Sequence, residues 1–230
     1  MDNKVINIKI VAQVARALQE LKDQMVFIGG AVISLYTDDP SADEIRPTSD
    51  IDMTVRLLNY LDWVKMQKRL AELRFFPDPD GHAIISYLHK GISVDIMPAE
   101  DGPIGPANRW YKLGFEDLHT IKVEDIELQV FSAPCYLATK FEAFNDRGGD
   151  YRTSHDFEDI IYVLDNRTTI VEEIDKAHPA IKVFLHSELN KILQSPYTEE
   201  IVSVHLHPLV LDDRYPMLMA KLQAIANQQG

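Results

Sequence analysis

The sequence has almost no cysteine and comparatively little positive charge. Each of these two shortages argues against particular kinds of site. The single cysteine, Cys135, excludes an intramolecular disulfide and any cysteine-rich zinc site. Lysine and arginine together number 23 against 36 aspartates and glutamates, which gives a formal net charge of −13. Because an acidic chain repels polyanions at long range, the composition disfavours a broad nucleic-acid-binding surface.

Long apolar runs are also absent. No stretch approaches the roughly 20 apolar residues that a membrane-spanning helix needs. The first residues, Met1-Asp2-Asn3-Lys4, lack the basic-then-apolar pattern of a secretion signal. We therefore expect a cytoplasmic protein without membrane attachment. Of its 230 residues, 46% are hydrophobic, which suffices for the core of one large domain or two modest ones.

The residue pattern changes along the chain from alternating strands and helices to helices alone. Strands are predicted at 25–28, 51–57, 82–89, 92–97, 119–122 and 127–131. Helices are predicted at 6–24, 30–36, 61–73, 134–145, 153–164, 171–177, 180–193, 199–207 and 216–227. Residues 98–106 contain three prolines. We expect them to form either a linker between domains or a loop at the edge of the functional site. We expect an α+β fold, with a small mixed-sheet core over residues 1–105 and a mostly helical domain over 106–230.

Two aspartates begin the second predicted strand. Alternate side chains of a strand share a face, so Asp50 and Asp52 point one way while Ile51 and Met53 point into the core. Neighbouring carboxylates repel each other unless a cation lies between them, and hard divalent cations such as Mg²⁺ prefer oxygen ligands. An acidic pair is also common at a solvated sheet edge, so this pair alone is a weak signal.

The flanking residues strengthen the signal. Gly29 and Gly30 directly follow the first predicted strand, and glycines let the backbone approach a phosphate closely. Asp95 lies in a later strand between Val94 and Ile96, where burying an unpaired carboxylate would be very costly. An arginine partner or a turn would also satisfy Asp95, but the combination favours a metal site.

The order Gly29-Gly30, Asp50-x-Asp52 and Asp95 resembles the nucleotidyltransferase superfamily of the DNA-polymerase-β type. Within it, the chain most resembles the AbiEii/AbiGii-type abortive-infection toxins over about residues 24–167. The matching segments are Arg46-x-Thr48-x-Asp50-Ile51-Asp52, Lys140-x-x-Ala143-x-x-x-Arg147 and Asp156-x-x-Asp159-Ile160. The chain differs in its longer interval from Gly30 to Asp50, and in a second glycine where a serine is more usual.

The resemblance implies a role for each matching residue. Asp50, Asp52 and Asp95 would bind two Mg²⁺ ions, and Asp95 would also activate the attacking hydroxyl. The nucleoside triphosphate would be bound by the glycine turn and by polar and cationic side chains: Gly29, Gly30, Ser34, Thr48, Lys140 and Arg147. Lys140 and Asp156 would complete the catalytic residues.

The downstream residues also fit ordinary structural roles. Lys140 and Arg147 are seven apart and lie near one helix face, where Glu142 and Asp146 could pair with them in solvent. Asp156 fits the third position of a capping box that begins at an N-cap residue Thr153. The pair His205-x-His207 does not predict zinc, because two helix residues at this spacing point in different directions.

Together these patterns predict transfer of a nucleoside monophosphate from a triphosphate to an acceptor hydroxyl, with release of pyrophosphate. The resemblance leaves the acceptor open between an RNA end such as that of tRNA, a protein and a small molecule, and implies an antitoxin partner. Two alternatives stay open. The first is a nucleotide-binding or regulatory module without turnover, and the second is a phosphohydrolase that uses the same carboxylates.

Overall fold

The fold is seen in a computed structural model that describes residues 3–42, 45–48, 50–57, 59–82 and 84–227. The chain divides into two units. The first comprises Met1–Leu35 and Glu44–Ser132, and the second comprises Tyr36–Asp43 and Ala133–Gly230. This division lies later than the predicted boundary at residue 105, because the strands after the proline-rich stretch belong to the sheet of the first unit.

The first unit contains a seven-stranded mixed sheet. Its strands are β1 (Met25–Ile28), β2 (Asp50–Val55), β3 (Phe76–Pro77), β4 (Ser86–His89), β5 (Ile92–Pro98), β6 (Leu118–Val123) and β7 (Ile126–Phe131). Their order across the sheet is β3-β4-β5-β2-β1-β7-β6. The pairs β2–β5 and β1–β7 are parallel, and the other neighbours are antiparallel. The predicted mixed sheet is therefore confirmed, and the strands β4–β5 and β6–β7 form two hairpins within it.

Two predicted elements differ in detail from the structure. The strand predicted from residue 82 begins at Ser86, because the backbone N–H groups of Ile85 and Ser86 both bond to the carbonyl of His82 and close a turn there. The segment Gly30–Tyr36 is helical as predicted, but it is a 3₁₀ helix. Such helices are tighter than α-helices and occur as short connectors.

The helices of the first unit are α1 (Asn3–Leu18), α2 (Tyr60–Glu72) and the short α3 (Tyr111–Gly114), with a 3₁₀ turn at Gln19–Gln24 after α1. The N-cap residue of α2 is Asn59, whose side chain accepts a hydrogen bond from the backbone N–H of Asp62. It buries Trp63, Met66 and Leu70, which helical spacing places on one face. The local pattern of α2 thus accounts for its start and its packing.

The second unit is helical. Its helices are α4 (Ala133–Arg147), α5 (His155–Asn166), α6 (Ile170–Lys176), α7 (Pro179–Leu193), α8 (Thr198–Ser203) and α9 (Leu211–Ala226). α4 ends before Gly148, whose φ of +62 is typical of a glycine that ends a helix. α9 begins at Leu211, earlier than predicted, and Pro216 lies inside it. Among the described residues, no helix is both long and apolar enough to cross a membrane.

A short segment between the 3₁₀ helix and β2 belongs to the helical unit. The backbone N–H groups of Asp38 and Asp39 both donate to the carbonyl of Asn166 at 3.1 Å. Arg214 of α9 binds Asp39 at 2.5 Å and Asp165 at 2.9 Å. The hydrogen bond from Arg214 holds the pKa of Asp39 below its usual range. These contacts fasten the segment to the ends of α5 and α9.

Candidate active site

Three aspartates share one face of two adjacent strands. β2 and β5 run parallel in register, with Asp52 opposite Asp95 and Asp50 opposite Ser93. Because side chains alternate along each strand, Asp50, Asp52 and Asp95 all point to the same face, and all three are half-buried. The opposite face carries the buried residues Ile51, Met53, Val94 and Ile96. The predicted alternation of β2 is confirmed, and the pairing with β5 places Asp95 beside Asp52.

The close spacing of these carboxylates is unfavourable unless positive charge offsets it. Adjacent strands lie about 4.8 Å apart, and alternate residues of one strand lie about 6.6 Å apart. Within the described part of the chain, neither Asp50 nor Asp95 forms an ion pair or side-chain hydrogen bond. Like charges at such distances repel each other. The face is therefore suited to a cation.

The donor set fits a hard divalent cation in chemical type and in strand position. Mg²⁺ takes carboxylate oxygens and usually needs only one or two protein carboxylates besides water and substrate phosphate. The side chains are not gathered into a closed ligand group, since the described residues contain no cluster of three or more His, Cys, Asp or Glu side chains in metal-binding geometry. Asp52 and Asp95 nevertheless lie opposite each other in the strand register.

The glycine turn lies directly against Asp52. β1 is antiparallel to β2 and ends with Ile28 opposite Asp52, so the turn that follows β1 is next to the start of β2. Gly29 has φ +74, a conformation that favours glycine. A Cβ atom on Gly29 would lie only 2.0 Å from Asp52 Oδ2. The missing side chain of Gly29 thus leaves the space that the Asp52 carboxylate fills.

The second glycine of the turn, Gly30, lies close to the side chains of Arg46 and Thr48. A Cβ atom on Gly30 would lie 2.8 Å from Arg46 Nη2 and 2.9 Å from Thr48 Cγ2. The segment that carries both residues is bound to α1 through Asn7, whose Nδ2 donates to the Arg46 carbonyl at 3.2 Å. The Thr48 backbone N–H donates to Asn7 Oδ1 over a long 3.5 Å. Both glycines therefore have a charged side chain close to them.

Two further residues predicted to bind the nucleotide, Ser34 and Thr48, also lie in the first unit. Ser34 is inside the 3₁₀ helix and only 5% exposed. Thr48 is half-buried, and its methyl group faces Gly30. The structure places Thr48 near the turn through this contact, and the roles of both residues stay predictions.

In the helical unit, the downstream motif forms a buried ion network. Lys140 Nζ of α4 lies 3.2 Å from Asp156 Oδ1 and 2.7 Å from Asp159 Oδ2 of α5. Arg147, at the end of α4, binds the other oxygen of Asp156. Lys140, Asp156 and Asp159 are 8%, 5% and 2% exposed. Buried charges need such pairing, so the spacing of these four residues is explained by contact between α4 and α5.

Two of the structural roles predicted for these residues are wrong. The N-cap of α5 is Ser154, whose side chain accepts from the Phe157 backbone N–H, so Thr153 and Asp156 do not form a capping box. Lys140 is buried against α5 and does not lie in solvent beside Glu142 and Asp146. Sequence spacing placed Lys140 on a helix face but could not identify the helix that this face meets.

The histidines near the end of α8 have structural contacts. His205 Nε2 donates to the Tyr151 carbonyl at 2.7 Å, and its ring packs edge-on against Phe157. Burial lowers the pKa of His205 below its usual value. His207 Nδ1 accepts from the Leu209 backbone N–H and caps a short 3₁₀ turn. These contacts account for both side chains without a metal.

Asn7 and Arg46 are two site residues to which the sequence assigned no role. Arg46 belongs to the motif that ends at Asp52, so its position carried a signal. Asn7 lies on α1 far from that motif, and nothing in the local pattern separates it from other polar helix residues. Its burial at 1% exposure and its two hydrogen bonds are visible only in the structure.

Comparison with solved structures shows the fold. A crystal structure of an antigenic nucleotidyltransferase-like protein from Paracoccidioides brasiliensis matches with a TM-score of 0.51 and 17% identity, covering 97% of this chain and 93% of that one. JHP933 from Helicobacter pylori matches with a TM-score of 0.42 and 12% identity, covering 94% and 90%. Among proteins with curated descriptions, none matches this chain.

Comparison with protein families identifies the family of this chain. The family described as "Nucleotidyl transferase AbiEii toxin, Type IV TA system" matches residues 13–222. This range includes the glycine turn, the three aspartates of the sheet and the whole ion network of the helical unit. Since the match covers most of the sequence, the chain belongs to the AbiEii family of toxins and is a nucleotidyltransferase.

Proposed function

We propose that this nucleotidyltransferase moves a nucleoside monophosphate from a nucleoside triphosphate to an acceptor hydroxyl, with Mg²⁺ held by Asp50, Asp52 and Asp95. The observation that supports this most strongly is the register of β2 and β5, which sets Asp52 opposite Asp95 on a face that also carries Asp50. The Asp52 carboxylate also lies against the Gly29 turn. A phosphate bound at this turn would therefore lie close to that carboxylate.

The proposed step exchanges one phosphorus–oxygen bond for another. The oxygen of the acceptor hydroxyl forms a bond to the α-phosphorus, and the bond from that phosphorus to the oxygen bridging to the β-phosphorus breaks. Pyrophosphate leaves with the electron pair, and Asp95 accepts the hydroxyl proton as general base. Atoms and charge balance without any further reactant.

Each of the three aspartates of the sheet face has a part in this step. Asp50 and Asp52 would hold a cation that orients the triphosphate, and Asp95 lies beside Asp52 where it can reach the acceptor. When bound, two Mg²⁺ ions would supply charge neutralisation for the attacking and leaving oxygens. The backbone N–H groups of Gly29 and Gly30, with Ser34 and Thr48, bind the outer phosphates.

Most of the ion network of the helical unit has a structural role in this proposal. Its two cations and two carboxylates sum to no net formal charge. A phosphate would have to displace a carboxylate to reach Lys140, whereas the Arg147 side chain is 72% exposed. We assign Lys140, Asp156 and Asp159 to holding α4 on α5, and we keep Arg147 as the member with room for a phosphate. Direct contact of Lys140 with the triphosphate stays a prediction.

Family membership also supports a toxin role. Type IV toxin–antitoxin systems pair a toxin with an antitoxin, so an antitoxin partner is part of the proposal. The acceptor belongs to one of three classes, namely an RNA end such as that of tRNA, a protein hydroxyl or a small molecule. The acidic composition slightly disfavours a long RNA.

Labelled nucleotide transfer tests the function and identifies the acceptor class. The protein is incubated with Mg²⁺ and each α-labelled triphosphate in a cell lysate, which is then divided into RNA, protein and small molecules. We expect label in one fraction, release of pyrophosphate and loss of both with Asp52→Asn. Release of free phosphate without labelling would indicate hydrolysis, and no labelling or product in any fraction would contradict the proposal.

A further inference from the structure

The guanidinium of Arg46 lies against the glycine turn, and the proposed transfer step gives it no role. A Cβ atom on Gly30 would lie 2.8 Å from Arg46 Nη2 and 3.5 Å from its Cζ. A side chain at this position would therefore force the guanidinium to shift. The absence of a side chain at Gly30 lets Arg46 come close to the backbone of the turn.

The segment that carries Arg46 is bound to α1 on both sides of Pro47. The carboxamide of Asn7, buried in α1, uses both its polar atoms to bind the backbone on either side of Pro47. Pro47 itself fixes one backbone dihedral of this segment. A side chain on such a pre-arranged segment loses less conformational entropy when it binds a ligand.

Opposite charges thus lie against consecutive glycines. The Asp52 carboxylate occupies the space beside Gly29, and the Arg46 guanidinium occupies the space beside Gly30. A triphosphate on this turn would have unlike surroundings at its two ends. The end nearer Asp52 meets carboxylates and needs a metal ion between, whereas the end nearer Arg46 meets a planar cation with hydrogen-bond donors suited to phosphate oxygens.

We propose that Arg46 binds the outer phosphates of the nucleoside triphosphate and thereby fixes its direction along the turn. The α-phosphate then lies toward Asp52 and Asp95, and the phosphates that leave as pyrophosphate lie toward Arg46. Arg46 is a substrate-contacting residue in this assignment, and Asn7 is the residue that positions it. The assignment rests on the proposed function, since it requires a triphosphate at the turn.

Equilibrium binding of nucleotides to the full chain tests the assignment. Affinities are measured in Mg²⁺ for the triphosphate, diphosphate and monophosphate of one base and for inorganic tripolyphosphate. We expect Arg46→Gln to weaken binding of the triphosphate and of tripolyphosphate by about 10- to 100-fold, the effect of losing charge-assisted hydrogen bonds. Binding of the monophosphate should change by less than about threefold, because it lacks the outer phosphates.

Arg16→Gln is the matched control. Arg16 belongs to the same unit and pairs with Glu124 and Asp125, so this variant removes an equal charge at another place. We expect it to bind every nucleotide as the wild type does. An equal loss in the control would mean that net charge, and not the position of Arg46, determines affinity.

A Cβ atom in Gly30→Ala would lie 2.8 Å from Arg46 Nη2 and 2.9 Å from Thr48 Cγ2, so this variant shifts the guanidinium without removing it and also shifts Thr48. We expect a loss selective for the triphosphate, and in the double variant Gly30→Ala/Arg46→Gln the two losses should be less than additive. Arg46→Lys keeps the charge but not the fork of donors and should lie between the wild type and Arg46→Gln. If circular dichroism shows that Arg46→Gln does not fold, the single variants Gly30→Ala and Arg46→Lys test the assignment instead.

The outcomes separate this inference from the proposed function. A wild type that binds triphosphate and an Arg46→Gln variant that binds it equally well would overturn the inference alone. Equal weakening of triphosphate and monophosphate would also overturn it, since Arg46 would then act on the nucleoside or on the fold. A wild type that binds no triphosphate at all would overturn both.

Discussion

The carboxylate of Asp52 occupies the space in which a side chain on Gly29 would begin. A Cβ atom on Gly29 would lie 2.0 Å from Asp52 Oδ2, and the backbone there has φ +74. Two separate constraints therefore require glycine at this position. One is backbone conformation, and the other is room for a carboxylate that we assign to metal binding.

Gly29→Ala should lose both stability and function. An alanine at positive φ costs about 1–2 kcal/mol in unfolding free energy, and its methyl group must also displace the Asp52 carboxylate. We expect Mg²⁺-dependent triphosphate binding to fall at least about tenfold. Denaturant unfolding and nucleotide titration measure the two effects.

Gly91→Ala separates the effect of backbone strain from the effect of the contact with Asp52. Gly91 has φ +81 in the β4–β5 turn, but a Cβ atom there would meet nothing within 4 Å. This variant should lose about the same 1–2 kcal/mol of backbone strain while it keeps its nucleotide affinity. If Gly91→Ala weakened binding as much as Gly29→Ala does, the contact with Asp52 would not be the cause.

Lys140→Met should strongly destabilise the helical unit. Removing Lys140 leaves Asp159 without this cationic partner and Asp156 with Arg147 alone, both in buried positions. Breaking a buried ion pair from one side typically costs about 3–5 kcal/mol in unfolding free energy. Adding Asp159→Asn to Lys140→Met should recover part of this loss, because the stranded carboxylate is then gone.

Chemical denaturation of the single and double variants measures this coupling. Arg147→Gln is the comparison, since Arg147 binds the same Asp156 from a largely exposed position and should cost less stability than Lys140→Met. An Asp159→Asn substitution that only adds to the loss in Lys140→Met would contradict a network in which Lys140 neutralises Asp159.

Stability should fall as the pH decreases through the range in which His205 titrates. Burial lowers the pKa of His205 in the folded protein below its ordinary value of 6.5. Below pH 6.5 the unfolded chain therefore takes up a proton that the folded chain still excludes, and this favours unfolding. The stabilising contribution is fully present above pH 6.5 and is lost as the pH falls through the folded pKa.

Thermal melting between pH 7.5 and 5.5 tests this dependence. In His205→Gln the melting temperature should fall less over this range than in the wild type. Identical pH profiles for wild type and His205→Gln would show that other groups determine the dependence.

Local patterns in the sequence predicted much of the sheet face. The alternation of polar and apolar residues placed Asp50 and Asp52 on one face of β2, and it placed Asp95 between two core residues of β5. Both predictions rest on the two-residue period of a strand, which is a local property. Local patterns do not say which strands become neighbours, and the parallel pairing of β2 with β5 brings together residues far apart in sequence.

The side-chain environments of the other residues depend on contacts between distant segments. Asn7 reaches Arg46 across many residues, and Lys140 reaches Asp159 on a separate helix. Helical periodicity gives the face on which such a residue lies but not what meets that face. The domain boundary illustrates the same limit, because the β6–β7 hairpin follows the proline-rich stretch and still pairs with β1.

The rate of nucleotidyl transfer by variants of the paired aspartates shows whether Asp52 and Asp95 act in the reaction. α-Labelled triphosphate and Mg²⁺ are incubated with wild type, Asp52→Asn, Asp95→Asn and, as control, Asp117→Asn, an exposed aspartate of the same unit. We expect at least about 100-fold slower transfer for Asp52→Asn and Asp95→Asn, with unchanged folding, and wild-type transfer for Asp117→Asn. Transfer at the wild-type rate by folded Asp52→Asn or Asp95→Asn would contradict this expectation.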